Sequence, residues 1–406
     1  MRREWSNMLT LDQIYQAAYV LKDVARKTDM IYAPEFAENR DIYLKTENLQ
    51  LTGSFKLRGA YYKISQLTKE QKDAGIIACS AGNHAQGVAL AATRMGIRST
   101  ICMPDGAPIS KVEATRHLGA EVVLVKGAYD DAHDRAVELQ KETGATFIHP
   151  FDDDHVIAGQ GTIGLEILDQ LKDTDAVLCP IGGGGLISGV AYAIKSLNPR
   201  IRIYGVQAAN APSMYESIRR QQPVTIKTVD TFADGIAVKT PGETTYEIIR
   251  KYVDEIVTVT EDQIAAAILR LLERQKLITE GAGAVSVAAA MFSDLPLEGK
   301  KTVCILSGGN IDVNILSRVI TRGLITSGRN TMLQIALEDK PGQLEGVSHI
   351  ISECGGNVIS VHHERSDPNM PISSCILRVG METASFEQIR RIRETLTAEG
   401  FHIVSG

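Results

Sequence analysis

Six short apolar runs, each followed by a segment with helix-like spacing of apolar residues, occupy most of this chain. They lie at residues 76–79, 100–103, 122–125, 176–179, 201–206 and 302–306. Strands that are apolar along their whole length are typical of a parallel sheet whose two faces are both covered by helices. The alternation therefore predicts an α/β architecture with crossover helices.

Glycine-rich phrases follow three of these runs directly, at residues 80–84, 182–185 and 307–310. In open α/β sheets, ligands bind at the carboxyl ends of the strands, where the next helix begins. Three such loops at one sheet edge would form a single site. We expect the chemistry of the protein to lie there.

Four consecutive glycines, Gly182, Gly183, Gly184 and Gly185, are candidates for a phosphate site. They precede a predicted helix, so their backbone N–H groups and the helix N-terminus can face an anion. A flexible hinge is the alternative, but four glycines carry a large entropic cost that disfavours an idle turn. Their spacing does not match the phosphate loop of an NTPase.

Lys56 is a candidate reactive amine because Phe55 and Leu57 give it an apolar setting. Such a setting lowers the pKa of an amine and favours its use as a nucleophile. Most lysines are solvated surface groups, so this residue in isolation also fits a structural role.

Several polar side chains accompany the other loops. Asn83 could donate to a ring hydroxyl, and the free amides before its helix could hold a substrate carboxylate. His84 is either a general base or, more commonly, a structural donor. Ser307 could bond a pyridine nitrogen or cap a helix. Glu280 either lines the same pocket or starts the following helix.

The composition changes at residues 326–330, a small polar stretch that we interpret as a linker between residues 1–325 and 331–406. Beyond it, strand-like and helix-like segments alternate in the order βαββαβ over about 75 residues, which matches the ferredoxin-like motif.

Composition excludes several classes of function. A formal net charge of −6 argues against nucleic-acid and anionic-membrane partners. The longest apolar stretch is shorter than the roughly 20 residues of a membrane helix. Six cysteines without Cys-x-x-Cys spacing fit buried side chains in a reducing compartment, so we expect the cytoplasm. No metal-ligand spacing is present, because His362 and His363 alternate along a predicted strand.

The phrases at residues 53–60, 80–87, 182–186 and 307–310, in this order, closely resemble the fold-type II pyridoxal phosphate enzymes. Within that tryptophan synthase β-like fold they are most similar to the threonine/serine dehydratase branch. The resemblance implies a catalytic region of two parallel-sheet subdomains. The turn at residues 339–344 and the βαββαβ order resemble a single ACT regulatory domain.

The resemblance also implies roles for individual residues. Lys56 would form a Schiff base with pyridoxal 5′-phosphate, and Phe55 would pack near its ring. Asn83 would bond the 3-hydroxyl group, and Ser307 would face the pyridine nitrogen. The phosphate would lie on Gly182, Gly183, Gly184, Gly185 and Leu186. The substrate carboxylate would be held by Ser80, Ala81, Gly82, Asn83 and His84.

The implied reaction is β-elimination of L-threonine to 2-oxobutanoate and ammonia, with L-serine as a second substrate. It would serve either isoleucine synthesis or threonine catabolism. ACT domains commonly bind amino acids where two copies pair, so the resemblance implies a homo-oligomer, a dimer or tetramer. Isoleucine or valine would then bind at the turn that contains Gly342, Gln343 and Leu344.

Three alternatives stay open. Serine racemase shares these loops, but its position matching Ala81 carries a serine, and a methyl group cannot donate a proton. Serine or hydroxyaspartate dehydration is a second possibility. A third, from a different class, is a non-catalytic amino-acid sensor, although a sensor has no need of a reactive amine beside a phosphate loop.

Overall fold

The chain divides into two units between Asp312 and Val313 in the computed structural model, which describes residues 9–365 and 371–405. The strands of the first unit are β1 (Met30–Tyr32), β2 (Asp41–Lys45), β3 (Ile76–Cys79), β4 (Ser99–Pro104), β5 (Glu121–Val125), β6 (Thr146–Phe147), β7 (Ala176–Pro180), β8 (Arg202–Ala208), β9 (Glu255–Val259) and β10 (Lys301–Ile305).

The helices of the first unit are α1 (Leu11–Leu21), α2 (Lys56–Ser65), α3 (Lys69–Ala74), α4 (Asn83–Arg94), α5 (Ile109–His117), α6 (Tyr129–Thr143), α7 (Asp154–Gln170), α8 (Gly185–Leu197), α9 (Ser213–Arg220), α10 (Glu243–Tyr252), α11 (Glu261–Arg270) and α12 (Gly281–Phe292). Thr10 caps α1 through a reciprocal pair of hydrogen bonds with Gln13, which explains where this helix begins.

Two sheets form this unit, and both are essentially parallel. The larger has the strand order β1-β2-β10-β7-β8-β9, in which β1 alone is antiparallel to its neighbour. The smaller has the order β5-β4-β3-β6 and is parallel throughout. The prediction of an α/β architecture with two parallel-sheet subdomains is confirmed.

One expectation about burial is wrong. The apolar run at residues 122–125 forms β5, which is not buried on both faces, and the Leu124 side chain is 46% exposed. β5 is an edge strand of the smaller sheet, so only β4 adjoins it and solvent reaches one side. The apolar runs also did not indicate β1, β2, β6 and β9, which are short or carry polar residues.

The second unit contains α13 (Val313–Thr326), β11 (Asn330–Glu338), α14 (Gln343–Glu353), β12 (Asn357–Glu364), β13 (Ser374–Glu382), α15 (Phe386–Ala398) and β14 (His402–Ser405). From β11 onward the order is βαββαβ, and the antiparallel sheet has the order β12-β13-β11-β14. The predicted ferredoxin-like arrangement is therefore confirmed.

The predicted linker at residues 326–330 comprises the last residue of α13, a turn and the first residue of β11. The predicted boundary at residue 325 thus lies near the end of α13, whereas the two units divide before this helix. None of the helices among the described residues combines the length and hydropathy needed to cross a membrane.

Candidate active site

Lys56 is the first residue of α2. The chain reaches it through Gly53, whose φ of +70° is unfavourable for residues with a side chain. The Lys56 Nζ atom donates a hydrogen bond to the carbonyl oxygen of Pro150 at 2.8 Å. It also lies 5.3 Å from the ring centroid of Phe55, so the amine points towards the interior of the unit.

Burial lowers the pKa of the Lys56 amine from 10.5 to about 8, although the negative charge of Glu280 acts in the opposite direction. At pH 7 a group with this pKa is neutral in roughly one molecule in ten, against about one in three thousand for an ordinary lysine. A nucleophile or base needs the free electron pair of the neutral amine. The position of Lys56 therefore suits both uses.

The loop before Lys56 is joined to the loop after β10. The backbone N–H of Phe55 donates to the carbonyl oxygen of Ser307 at 3.1 Å, and Ser54 forms a β-bridge with Gly308. The Ser307 side chain is buried, and its hydroxyl donates to the carbonyl oxygen of Ala282 at 3.2 Å. A neutral hydroxyl thus lies in the loop adjoining the lysine.

Asn83 begins α4 at the carboxyl end of β3. Its Nδ2 atom donates to Glu280 Oε1 at 2.6 Å, and its Oδ1 atom accepts from Asn310 Nδ2 at 2.7 Å. Asn310 also donates to the carbonyl oxygen of Thr52 at 2.8 Å. The orientation of the Asn83 amide is therefore determined by two other loops of the site.

Glu280 is the N-cap residue of α12, and it is 3% exposed. Burial is the main reason why the pKa of its carboxyl group is raised to about 7, and the charge of Asp234 adds to this effect. Lys111, the hydrogen bond from Asn83 and Lys56 lower the pKa by smaller amounts. Both interpretations of Glu280 hold, since it starts a helix and lines the pocket.

The four glycines connect β7 to α8 in a space that admits no side chain. A Cβ atom at Gly183 would lie 2.4 Å from the Phe151 ring, and one at Gly184 would lie 2.8 Å from Thr245. Gly184 also has a φ of +101°. Among the described residues, the backbone N–H groups of residues 182–186 donate to no protein acceptor. Leu186, in the first turn of α8, is one of these residues.

The segment at residues 150–152, which the sequence analysis did not identify, connects the four-glycine loop to Lys56. Its Pro150 carbonyl accepts from Lys56, and the ring of its Phe151 covers the glycines. The carboxylate of its Asp152 accepts from the backbone N–H of Thr245 at 3.1 Å. The signal available in the sequence was weak, because the preceding strand, β6, has only two residues.

The segment at residues 80–84 comprises the loop after β3 and the first two residues of α4, and its Ser80 Oγ accepts from the backbone N–H of Gly82 at 3.1 Å. His84 is buried, and its Nε2 atom donates to the carbonyl oxygen of Ile148 at 2.8 Å. Burial, assisted by the charge of Lys56, lowers its pKa to about 3. A neutral ring that already donates to the backbone favours the structural alternative for His84.

These residues fit pyridoxal phosphate. Lys56 supplies a deprotonatable amine for its aldehyde, and residues 182–186 supply unpaired N–H donors at a helix start for its phosphate. Asn83 and Ser307 supply neutral polar groups for the ring substituents. Hydrogen bonds and packing connect all four phrases singled out in the sequence.

Comparisons with known proteins agree with this geometry. Residues 21–308 match the family model described as pyridoxal-phosphate dependent enzyme. The L-threonine ammonia-lyase of Thermotoga maritima is 50% identical over 398 residues, which are 98% of this chain and 99% of that protein.

Two solved structures are also similar. The processed form of threonine deaminase isoform 2 from Solanum lycopersicum has a TM-score of 0.73 and 41% identity, covering 78% of this chain and 94% of its own. Maize serine racemase has a TM-score of 0.73 and 33% identity, covering 78% of this chain and 98% of its own. With its parallel sheets and this similarity, the chain belongs to the fold-type II family of pyridoxal-phosphate dependent enzymes.

Proposed function

We propose that this chain is a lyase that converts L-threonine to 2-oxobutanoate and ammonia, and L-serine to pyruvate and ammonia. The observation that carries the proposal is the Lys56 Nζ atom, which donates to the Pro150 carbonyl, next to the Phe151 ring that packs against the four glycines. The nearly full-length similarity to an L-threonine ammonia-lyase supports the choice of substrate.

Lys56 would hold the cofactor through its Nζ atom, and residues 182–186 would hold the phosphate through backbone N–H groups. When bound, pyridoxal phosphate supplies an electron sink for negative charge at the substrate α-carbon. The Nζ atom of Lys56 would accept the α-proton as general base. Overall, the α-proton and the β-hydroxyl would leave as one water molecule, and uptake of one water molecule would then release ammonia.

The substrate carboxylate is assigned to the loop at residues 80–84 and the start of α4, where backbone N–H groups and the Ser80 hydroxyl are available. Phe55 covers one side of the amine, and the Asn83 amide is oriented for the cofactor's 3-hydroxyl group by Glu280 and Asn310.

Racemisation is the second candidate, because maize serine racemase is similar in fold and sequence. A racemase needs a proton donor on the face opposite its lysine, and the methyl group of Ala81 supplies none. Ala81 therefore favours elimination. The sensor alternative has no basis in the site, since a sensor needs neither the amine nor the phosphate loop.

For the second unit we propose the function of an ACT domain that binds isoleucine or valine in a homo-oligomer. A pocket of about 490 Å³ adjoins Gly342, Gln343 and Leu344, and this supports an effector site at the predicted turn. If neither isoleucine nor valine at millimolar concentration alters the activity or the thermal unfolding, the proposed regulation by the second unit is contradicted.

The free, buried cysteines support a reducing compartment, the cytoplasm.

The test of the reaction is release of ammonia and 2-oxobutanoate from L-threonine by the wild type, Lys56→Ala and Lys69→Ala. We expect equal amounts of both products from the wild type and from Lys69→Ala, whose lysine is exposed on α3. Lys56→Ala should lose at least about 100-fold in kcat, as a general base typically contributes. A cofactor-loaded wild type that turns over only serine or hydroxyaspartate, or that only racemises, would refute the proposed substrate.

A further inference from the structure

Three side chains of residue types that bind metal ions lie close together in the second unit, although they are far apart in the sequence. They are Asp339 in the turn after β11, His363 on β12 and Cys375 on β13. A carboxylate oxygen, a ring nitrogen and the Sγ atom all lie within 4.8 Å of one another. His363 Nε2 is 4.0 Å from Asp339 Oδ1.

The sheet explains why these side chains meet. β13 pairs with both β11 and β12, so a residue in the turn that follows β11 and a residue on β12 can both approach Cys375. His363 lies opposite Leu377, whose side chain is in the core between sheet and helices. His362 lies opposite Arg378 and therefore belongs to the other face.

The set of donors suits a zinc-like ion. Zn²⁺ binds carboxylate, imidazole and thiolate groups at about 2.0–2.3 Å, and three protein ligands leave its fourth position open. The three residues line the pocket of about 490 Å³, which has room for water or another ligand. Asp339 and His363 are exposed, so their side chains can move towards the buried Cys375.

Arg365 is the competing partner, because its Nη2 atom lies 3.0 Å from Asp339 Oδ1. A carboxylate has two oxygen atoms, and it can bind an ion with one while the other accepts from a guanidinium group. The ion pair therefore orients Asp339 without excluding a metal.

We propose that Asp339, His363 and Cys375 form a binding site for Zn²⁺ in the second unit. The Cys375 thiol releases its proton to solvent as Sγ binds the ion. The proposal goes beyond the lyase reaction and does not depend on it, since all three ligands lie outside the first unit.

The test uses the full-length holoenzyme, stripped of metal by a chelator and dialysed against Zn²⁺. We expect about one ion per chain and a higher melting temperature of the second unit, because the ion binds the folded state. Co²⁺ in place of Zn²⁺ should add a thiolate charge-transfer band. Cys375→Ser should abolish this band. Both His363→Gln and Cys375→Ser should weaken Zn²⁺ binding by more than the roughly 10- to 100-fold that loss of a supporting hydrogen bond costs.

His362→Gln is the matched control, since it changes the adjacent histidine on the opposite face, and we expect it to bind Zn²⁺ like the wild type. His363→Gln keeps the test valid if the buried Cys375→Ser variant does not fold. A wild type that binds no Zn²⁺, or equal binding by His362→Gln and His363→Gln, would overturn the proposal. L-threonine turnover in the same preparations tests the lyase function separately.

Discussion

The Nδ2 atom of Asn83 donates to Glu280 Oε1 across 2.6 Å, between two residues that are 197 positions apart. One begins α4 in the smaller subdomain, and the other caps α12 in the larger one. This bond orients the amide that we assign to the cofactor's 3-hydroxyl group. It also places a carboxyl group with a raised pKa in the same pocket as Lys56.

Glu280→Gln should change how stability depends on pH. The folded-state pKa of about 7 lies above the ordinary value of 4.5, so the native state holds this proton more tightly than the unfolded chain. Wild-type stability should therefore fall as the pH rises from 4.5 to 7, by at most about 3 kcal/mol. Glutamine carries no such charge. Relative to the wild type, the variant should gain stability between about pH 5 and pH 8 in urea unfolding. The exposed Glu121→Gln variant should show no such gain, and equal behaviour of both variants would contradict the prediction.

The Lys56 amine should react with pyridoxal phosphate at a lower pH than an ordinary lysine. Because burial lowers its pKa to about 8, the neutral amine accumulates around that pH and not around 10.5. We expect the rate at which the apoenzyme acquires the visible absorbance of the lysine-bound cofactor to rise with pH, with a midpoint near 8. Stopped-flow absorbance measures it, and a midpoint above 10 would refute the assignment.

Ala81→Ser should introduce racemisation of L-serine. A hydroxyl at this position would supply the proton that the wild-type methyl group cannot supply on the face opposite Lys56. Chiral chromatography should detect D-serine with Ala81→Ser and not with Ala81→Gly, which is the control without a donor. Equal amounts of D-serine from both variants would remove this explanation of specificity.

Gly184→Ala should weaken cofactor binding. The new Cβ atom would lie 2.8 Å from Thr245 and would also force a φ of +101° on alanine. Strain of this kind costs about 1–3 kcal/mol, so the Kd for pyridoxal phosphate should rise about fivefold or more.

Gly299→Ala is the control for Gly184→Ala, because its φ is also positive but no atom lies within 4 Å of the added Cβ. It should lose stability without losing cofactor affinity. Equal affinities in fluorescence titrations of the two variants would show that the tight packing of the loop is unimportant.

Arg58→Ala should destabilise the first unit strongly. The buried guanidinium group donates to Glu47 Oε1 at 2.7 Å and to Glu166 Oε1 at 2.6 Å. Removing it leaves the buried Glu47 carboxylate without its main partner, at a cost of about 3–5 kcal/mol. Lys27→Ala breaks an exposed ion pair with Asp169 and should cost at most about 1 kcal/mol. Denaturant unfolding of both variants checks the contrast.

The sequence alone determined the class of fold and the loops of the site. Apolar runs, interrupted by glycine-rich phrases, specify buried parallel strands whose carboxyl ends face one pocket, because burial and backbone conformation are local requirements. Lys56, Asn83, the four glycines and Ser307 could be selected as candidate site residues in this way, and the ferredoxin-like order of the second unit followed from residue periodicity. The partial exposure of the edge strand β5 could not be predicted in this way, because an apolar run does not show how many neighbouring strands it will have.

Only the tertiary structure decided which side chains meet. The Pro150 carbonyl reaches Lys56, Glu280 bonds Asn83, and Asp339 approaches Cys375, although no spacing in the sequence signals these pairs. A hydrogen bond or an ion ligand depends on positions within a few tenths of an ångström, and these are set by strand order and helix packing over the whole unit. The same packing removes water from Lys56 and Glu280 and thereby shifts their pKa values. Residue types specify the available chemistry, whereas the fold determines which groups can perform it.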